Sequence, residues 1–498
     1  MEVYSAMLEE FRELAKSIEY YKYTLNSLIY WDKITYMPKK GIEFRSQVMS
    51  FMADMQYKIL SSDRFAACTR YFDGNKKNDA LINAMVRRVK ENLEPVQRIP
   101  EKEYRQYIRT IALAEQIWEE AREKNDYGRL EPYLKEIINA FKKFAMYWGY
   151  EEEPYDALLN YYVEGYNTAE IEKMVNILKP ELGKLLEERK KRDQRKKEVA
   201  PIRGISKEKQ EELWKLLLEE IGFDFQAGRV DIGAQATILA NSPDDVRIVN
   251  YYSMEDLSVG IFNVLHSGGR GVYQQKIDKN LLGTLTAEVP SLVMEEAVGR
   301  FYENIIGKSR SFWERIFPKV IEIIPQLNEI GIEDFYRYIN RLNLNSARIS
   351  ANEYVYLIHI IIIYEIERGL INENYETKRL NEVWNQKYNK YLGLDILSDA
   401  EGILQDIHWS AGYFAYFPTH IVANLAAAQF ANTIEKQFGF FEDLILEDGL
   451  EKITKWMAEN IYQWGALYSF DELVQRATGE AVHPEYYLKY LRNKLNGI

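Results

Sequence analysis

His266 opens the stretch in which this sequence concentrates groups able to do chemistry. It begins His266-Ser267-Gly268-Gly269-Arg270, and Glu296 follows 26 residues beyond Arg270 in Met294-Glu295-Glu296-Ala297. Residues four apart on a helix share a face, so two imidazoles at that spacing grip one divalent metal, and a carboxylate directly after the first takes a proton from the metal-bound water. A distant glutamate completes such a set. Here the place beside His266 holds Ser267, which carries no carboxylate, and the place one turn on holds the cation Arg270. His266, Glu295 and Glu296 remain as candidate ligands. The five histidines, His266, His359, His408, His420 and His483, include no pair three or four apart, so a two-histidine helical grip is excluded. The spacing therefore predicts the frame of a metal-dependent hydrolytic site with its metal chemistry dismantled, and no metal is expected. Gly268 and Gly269 within the helix cost ~1 kcal/mol each relative to Ala, which points to close backbone packing or a distorted helix.

The elements that must position these groups are helices almost throughout. Apolar residues recur at helical spacing over Met1–Tyr30, Glu43–Leu60, Asn78–Asn92, Glu101–Lys124 and Leu130–Trp148, and again from Leu292 onward. One region alternates like a sheet. Arg229-Val230-Asp231-Ile232 and Val246 to Tyr252 are β-branched and aromatic, with Asn241-Ser242-Pro243-Asp244-Asp245 between them as a turn. This predicts a small β-ribbon over roughly Val230 to Tyr252, leading into the His266 helix. No Gly/Ser linker or repeat interrupts the pattern, so a single two-lobed helical domain over residues 1–498 is expected, with length enough for a large core.

Composition narrows the partners. A net charge of −12 argues against nucleic acid, and 47% hydrophobic residues are ordinary for a globular protein. The single cysteine, Cys68, excludes a disulfide framework and a thiolate cluster, which suits the cytoplasm. Met1 leads straight into charged amphipathic sequence without a signal-peptide pattern. The longest apolar run, Tyr354 to Tyr364, falls short of the ~20 residues that span a bilayer, so no membrane association is expected. His359, within that run, reads as a core residue.

Several longer segments make the sequence recognisable. They are WDKITYMP (Trp31 to Pro38), PYDALLNYYVEG (Pro154 to Gly165), FDFQAGRVD (Phe223 to Asp231), DDVRI (Asp244 to Ile248), ARISANE (Ala347 to Glu353), GILQDIHW (Gly402 to Trp409), Tyr416-Phe417-Pro418-Thr419 and RATGE (Arg476 to Glu480). In this order they resemble the thermostable metallocarboxypeptidase family, the carboxypeptidase Taq family, over nearly the whole chain. The resemblance implies a mainly α, gluzincin-type helical peptidase fold with a deep groove and one small β-ribbon. It also implies release of C-terminal residues from peptides, zinc or cobalt as cofactor, and a homodimer.

The departures from the family pattern cluster where the metal would be. Its HExxH stands here as HSGGR, its HPF block as Gln235-Ala236-Thr237, and its HES/T-Q block as Glu295-Glu296-Ala297-Val298. Its IRxxAD block ends in Asn352. The GxxQDxHW block is complete, so Gln405, Asp406, His408 and Tyr416 resemble the family's substrate-facing residues, and Arg348 is the candidate to hold a peptide's terminal carboxylate in its planar fork. Asp406–His408 as a buried pair and Arg348 as a packing ion pair are the structural alternatives. The expectation is an inactive homologue that at most binds peptides with a free C-terminus. The alternatives are an active enzyme with a site rebuilt from His266, Glu295 and Glu296, and a structural or regulatory partner of an active paralogue. The lost ligand position also suggests that Arg270 replaces the ion and pairs with Glu296.

Overall fold

The computed structural model describes residues 2–195, 199–233, 236–373 and 375–497. Gln235, at the place of the first residue of the family's HPF block, lies outside them. The fold is mainly α-helical with one small sheet. The chain divides into two compact units. One comprises Met1–Leu93, Val199–Ile339 and Ala427–Ala481, the other Glu94–Glu198, Asn340–Ala426 and Val482–Ile498.

The first unit contains the sheet, and here the sequence expectation needs correcting. Three strands form it: β1 (Gly228–Ile232), β2 (Thr237–Ser242) and β3 (Asp245–Asn250), in the order β1-β3-β2. The two segments read as one ribbon, β1 and β3, are parallel neighbours with Val230 opposite Ile248. A tight turn joins only antiparallel strands. The turn after Asn241 therefore serves β2 and β3, which pair antiparallel with Ile238 opposite Ile248 and a bulge between Ala240 and Ser242. Trp31 ties the N-terminal segment to this sheet. Its Nε1 donates to Asp231 at 3.2 Å, and the guanidinium groups of Arg229 and Arg247 lie 5.0 and 4.6 Å from its ring centroid.

The sheet leads into the helix Leu257–Gln275, started by Asp256, whose carboxylate accepts from the Ser258 backbone N–H at 3.1 Å. Twelve of its residues are buried, among them Ser267, Gly268, Gly269 and Gly271. The helix Leu292–Arg300 starts at Ser291, whose hydroxyl accepts from Met294 N–H at 3.3 Å. It continues as a π-helical turn over Phe301–Ile306, a local widening that changes which residues share a face.

In the same unit, Glu288 is clamped between Lys22 of the helix Glu2–Tyr23 and Arg88 of the helix Ala80–Gln97. Burial alone would raise its pKa, but Lys22 and Arg88 outweigh this and bring it down from 4.5 to about 2. A carboxyl whose folded pKa is depressed contributes stability above its unfolded pKa and loses it as pH falls through the folded one. Glu288→Gln is therefore expected to cost about 3 kcal/mol near neutrality. The gap from wild type should close between pH 4.5 and pH 2 in urea titrations; a gap independent of pH would contradict the clamp.

The second unit is built around the helix Glu353–Asn372, in which nearly every side chain is buried. A helix apolar all round is a core helix, and no helix among the described residues is long and apolar enough to cross a membrane. His359 sits in this core, fully buried, with Nδ1 2.8 Å from the Tyr388 hydroxyl. Burial, and then Arg348, push its pKa down to about 3.

Candidate functional site

Two clusters contain the residues singled out from the sequence, one in each unit. In the first unit, the helices Leu257–Gln275 and Leu292–Arg300 pack closely because glycines allow it. A Cβ on Gly269 would stand 2.4 Å from the Tyr302 ring, and one on Gly268 would stand 2.4 Å from Leu218 on a third helix, Lys207–Glu220. Close packing is thus the reason for these two glycines. Gly269→Ala should gain helix propensity yet lose about 1–3 kcal/mol to overpacking against buried Tyr302. A thermal melt unchanged or raised by the substitution would refute that contact.

Across this interface His266 meets two carboxylates. Its Nδ1 lies 2.9 Å from Glu303 Oε2 and its Nε2 3.4 Å from Glu296 Oε2. The ring lies over Gly299, where a Cβ would come within 2.5 Å of it. Arg300 donates from Nε to Glu296 at 2.6 Å and from Nη1 to Glu303 at 3.1 Å. All four side chains are largely buried, at 17% exposure or less. Burial opposes charge on the imidazole, but Glu296 and Glu303 outweigh it and raise the His266 pKa. Burial likewise opposes ionisation of Glu303, and Arg300 and His266 overcome it, so its pKa is lowered. Arg300 and the His266 ring thus engage both carboxylates, and Lys308 adds its positive charge near Glu303.

Arg270 does not follow the expectation of pairing with Glu296. Its guanidinium holds Glu295 Oε1, with Nε at 2.9 Å and Nη2 as a second donor. The cation for Glu296 comes from Arg300, four residues further along its own helix. Arg300 and Glu303 were absent from the sequence-derived set. The available signal was their spacing: 296, 300 and 303 stand at i, i+4 and i+7, one helical face.

In the second unit the retained blocks converge. Arg348 donates from Nε and Nη2 to the two oxygens of Asp406, at 2.9 and 3.0 Å, and its backbone N–H donates to Gln405 Oε1 at 2.8 Å. Its guanidinium also lies 4.9 Å from the Phe417 ring centroid. Arg348 thus forms a bidentate ion pair with Asp406, the stronger of the structural alternatives. His408 Nδ1 lies 3.7 Å from Asp406 Oδ1, beyond hydrogen-bond reach. The His408 ring stacks on Tyr416 at 5.8 Å, with 9° between planes. Burial, then Arg348, lower the His408 pKa to about 4, so the imidazole is neutral at physiological pH.

A histidine-bearing helix packed on a glutamate-bearing helix, beside a small mixed sheet in a mainly helical chain, is a metallopeptidase scaffold. The chain belongs to the carboxypeptidase Taq (M32) metallopeptidase family, whose model matches residues 10–495. It is 33% identical to carboxypeptidase 1 of Bacillus subtilis over 98% of each chain. It is also 33% identical to thermostable carboxypeptidase 1 of Pyrococcus furiosus over 94% of each. A solved structure of Pyrococcus furiosus carboxypeptidase, described as apo-Mg, superposes with a TM-score of 0.94 at 30% identity, covering 98% of this chain and 99% of that one.

Proposed function

We propose that this protein is a family member without zinc and without hydrolysis, retaining at most the capacity to bind peptides with a free C-terminus. The observation that carries the reading is the state of the two remnant ligands. Glu296 is engaged by Arg300 at 2.6 Å, and His266 points one ring nitrogen at Glu303 and the other at Glu296. A metal ligand must offer a free lone pair, and carboxylates engaged by Arg300 around a hydrogen-bonded imidazole offer little. Ser267 supplies no base, and Arg270 stands where the family has its second imidazole. The donor set does not fit zinc or cobalt. A site rebuilt from His266, Glu295 and Glu296 is disfavoured because Glu295 is taken by Arg270.

Retention of Arg348, Gln405, Asp406, His408 and Tyr416 as one cluster supports peptide recognition. The Arg348 fork already holds Asp406, so an incoming carboxylate must compete for it. The single Cys68 favours a cytoplasmic setting, and pairing as a homodimer rests on family resemblance. Elemental analysis of protein purified without chelator tests the reading. Zinc and cobalt are expected well below one ion per chain, and a stoichiometric ion removable by chelator would overturn it.

A further inference from the structure

The retained segment that carries Gln405, Asp406, His408 and Tyr416 contains little regular structure between the helix Leu380–Leu392 and the helix Pro418–Phe438. Besides the contacts of Arg348 to Gln405 and Asp406, it has an internal anchor in the side chain of Glu367. This glutamate lies on the core helix Glu353–Asn372 and is fully buried. One carboxylate oxygen accepts from Trp409 Nε1–H at 2.7 Å. The other accepts from the Ala415 backbone N–H at 3.0 Å and the Tyr155 hydroxyl at 2.8 Å. Trp409 closes the GILQDIHW block, and Ala415 immediately precedes Tyr416. Ala415 has φ +62°, a left-handed conformation that a non-glycine residue adopts at a cost and that its surroundings must impose.

We propose that Glu367 is a positioning residue of the recognition segment, fixing through Trp409 and Ala415 where the adjacent His408 and Tyr416 stand, while Arg348 holds Gln405 and Asp406. This rests on the peptide-binding reading above. Glu367 has no cation partner among the described residues; the titratable groups facing it are Tyr155 and Tyr162, both on the helix Pro154–Tyr162. A buried carboxylate without a counter-ion is costly unless donors surround it. Here the three donors hold it from two points of the segment, Trp409 and Ala415, and from the neighbouring helix. Burial, against those donors, raises its pKa to about 7. Both protonation states suit the geometry, because the Tyr155 hydroxyl can donate to the carboxylate or accept from the carboxylic acid. An amide does not suit it. Trp409 and Ala415 can only donate, each to a different oxygen, so Glu367→Gln leaves one of them facing an NH₂ group.

The test compares Glu367→Gln with wild type in two measurements. Hydrogen exchange followed by mass spectrometry reads the segment 402–417. Fluorescence anisotropy reads binding of a dye-labelled pentapeptide with a free C-terminal carboxylate, with its C-terminal amide as control. Losing one buried acceptor should speed exchange in 402–417 by about tenfold or more and weaken peptide binding by a similar factor, with protection elsewhere retained. Glu367→Asp, which keeps both acceptor oxygens, should restore part of each effect. Trp409→Phe, which removes one donor instead of the acceptor, provides the same readout if the Gln variant does not fold. Unchanged exchange in 402–417, or faster exchange spread evenly through the chain, overturns the assignment. Wild-type protein that ignores the peptide overturns the peptide reading instead, and the exchange pattern then decides the role of Glu367 alone.

Discussion

Purified protein incubated with peptides is expected to release no C-terminal residue above background, with or without added zinc or cobalt. Two losses combine. Ser267 stands where a carboxylate would take the proton from an attacking water, and absence of a general base alone costs roughly 10²–10⁴-fold. The second concerns the ion. His266 and Glu296 are turned onto Glu303 and Arg300, so binding a cation means breaking a buried hydrogen-bonded cluster and bringing a further positive charge beside Arg300 and Arg270. Liquid chromatography of released amino acids, with an active family member as control, is the measurement. Turnover comparable to the control that a chelator abolishes would sink both this expectation and the reading of the site.

The second large effect is on stability. Replacing Arg300 by Met keeps the length of the side chain and removes its charge, leaving Glu296 and Glu303, at 11% and 16% exposure, with one cation fewer. Removing one partner from a buried ionic cluster costs about 3–5 kcal/mol because the remaining charges stay desolvated. Arg300→Met should lower the urea midpoint accordingly. Adding Glu296→Gln and Glu303→Gln should recover most of the loss, since both buried carboxylates are then neutral. Arg270→Met should cost less, because its pair with Glu295 is more exposed, at 24% and 20%. A loss below about 1 kcal/mol for Arg300→Met, the range of surface ion pairs, would contradict the buried cluster.

Much of this was legible in the sequence because helical periodicity is strong and long. The fold class, the helix bearing His266 and the glutamate-bearing helix all follow from it. The sheet was half legible. The turn after Asn241 is legible, but the strand before it is not, since β2 (Thr237–Ser242) contains Ala240, Asn241 and Ser242, which do not mark a strand. Periodicity also cannot fix how two helices meet. Arg270 was expected on Glu296 and is found on Glu295; neighbouring residues on a helix differ by ~100° in direction, so the partner depends on a crossing geometry that no single sequence encodes. The hub role of Glu367 was hidden for a related reason. Its three donors come from positions 155, 409 and 415, brought together only by tertiary packing.

The fit of the His266 ring over Gly299, and of Gly269 against Tyr302, bears on attempts to evolve a zinc enzyme from this chain. Arg270→His alone takes the guanidinium away from Glu295, and Ser267→Glu alone forces a carboxylate into a position 3% exposed. Each step lowers stability before any ion can bind and repay it. The mutational landscape therefore has a valley between this sequence and an HExxH helix, and one-at-a-time selection stalls on the near side. A library that varies positions 267, 270, 295 and 299 together, started from a stabilised parent, is the form of search that crosses it.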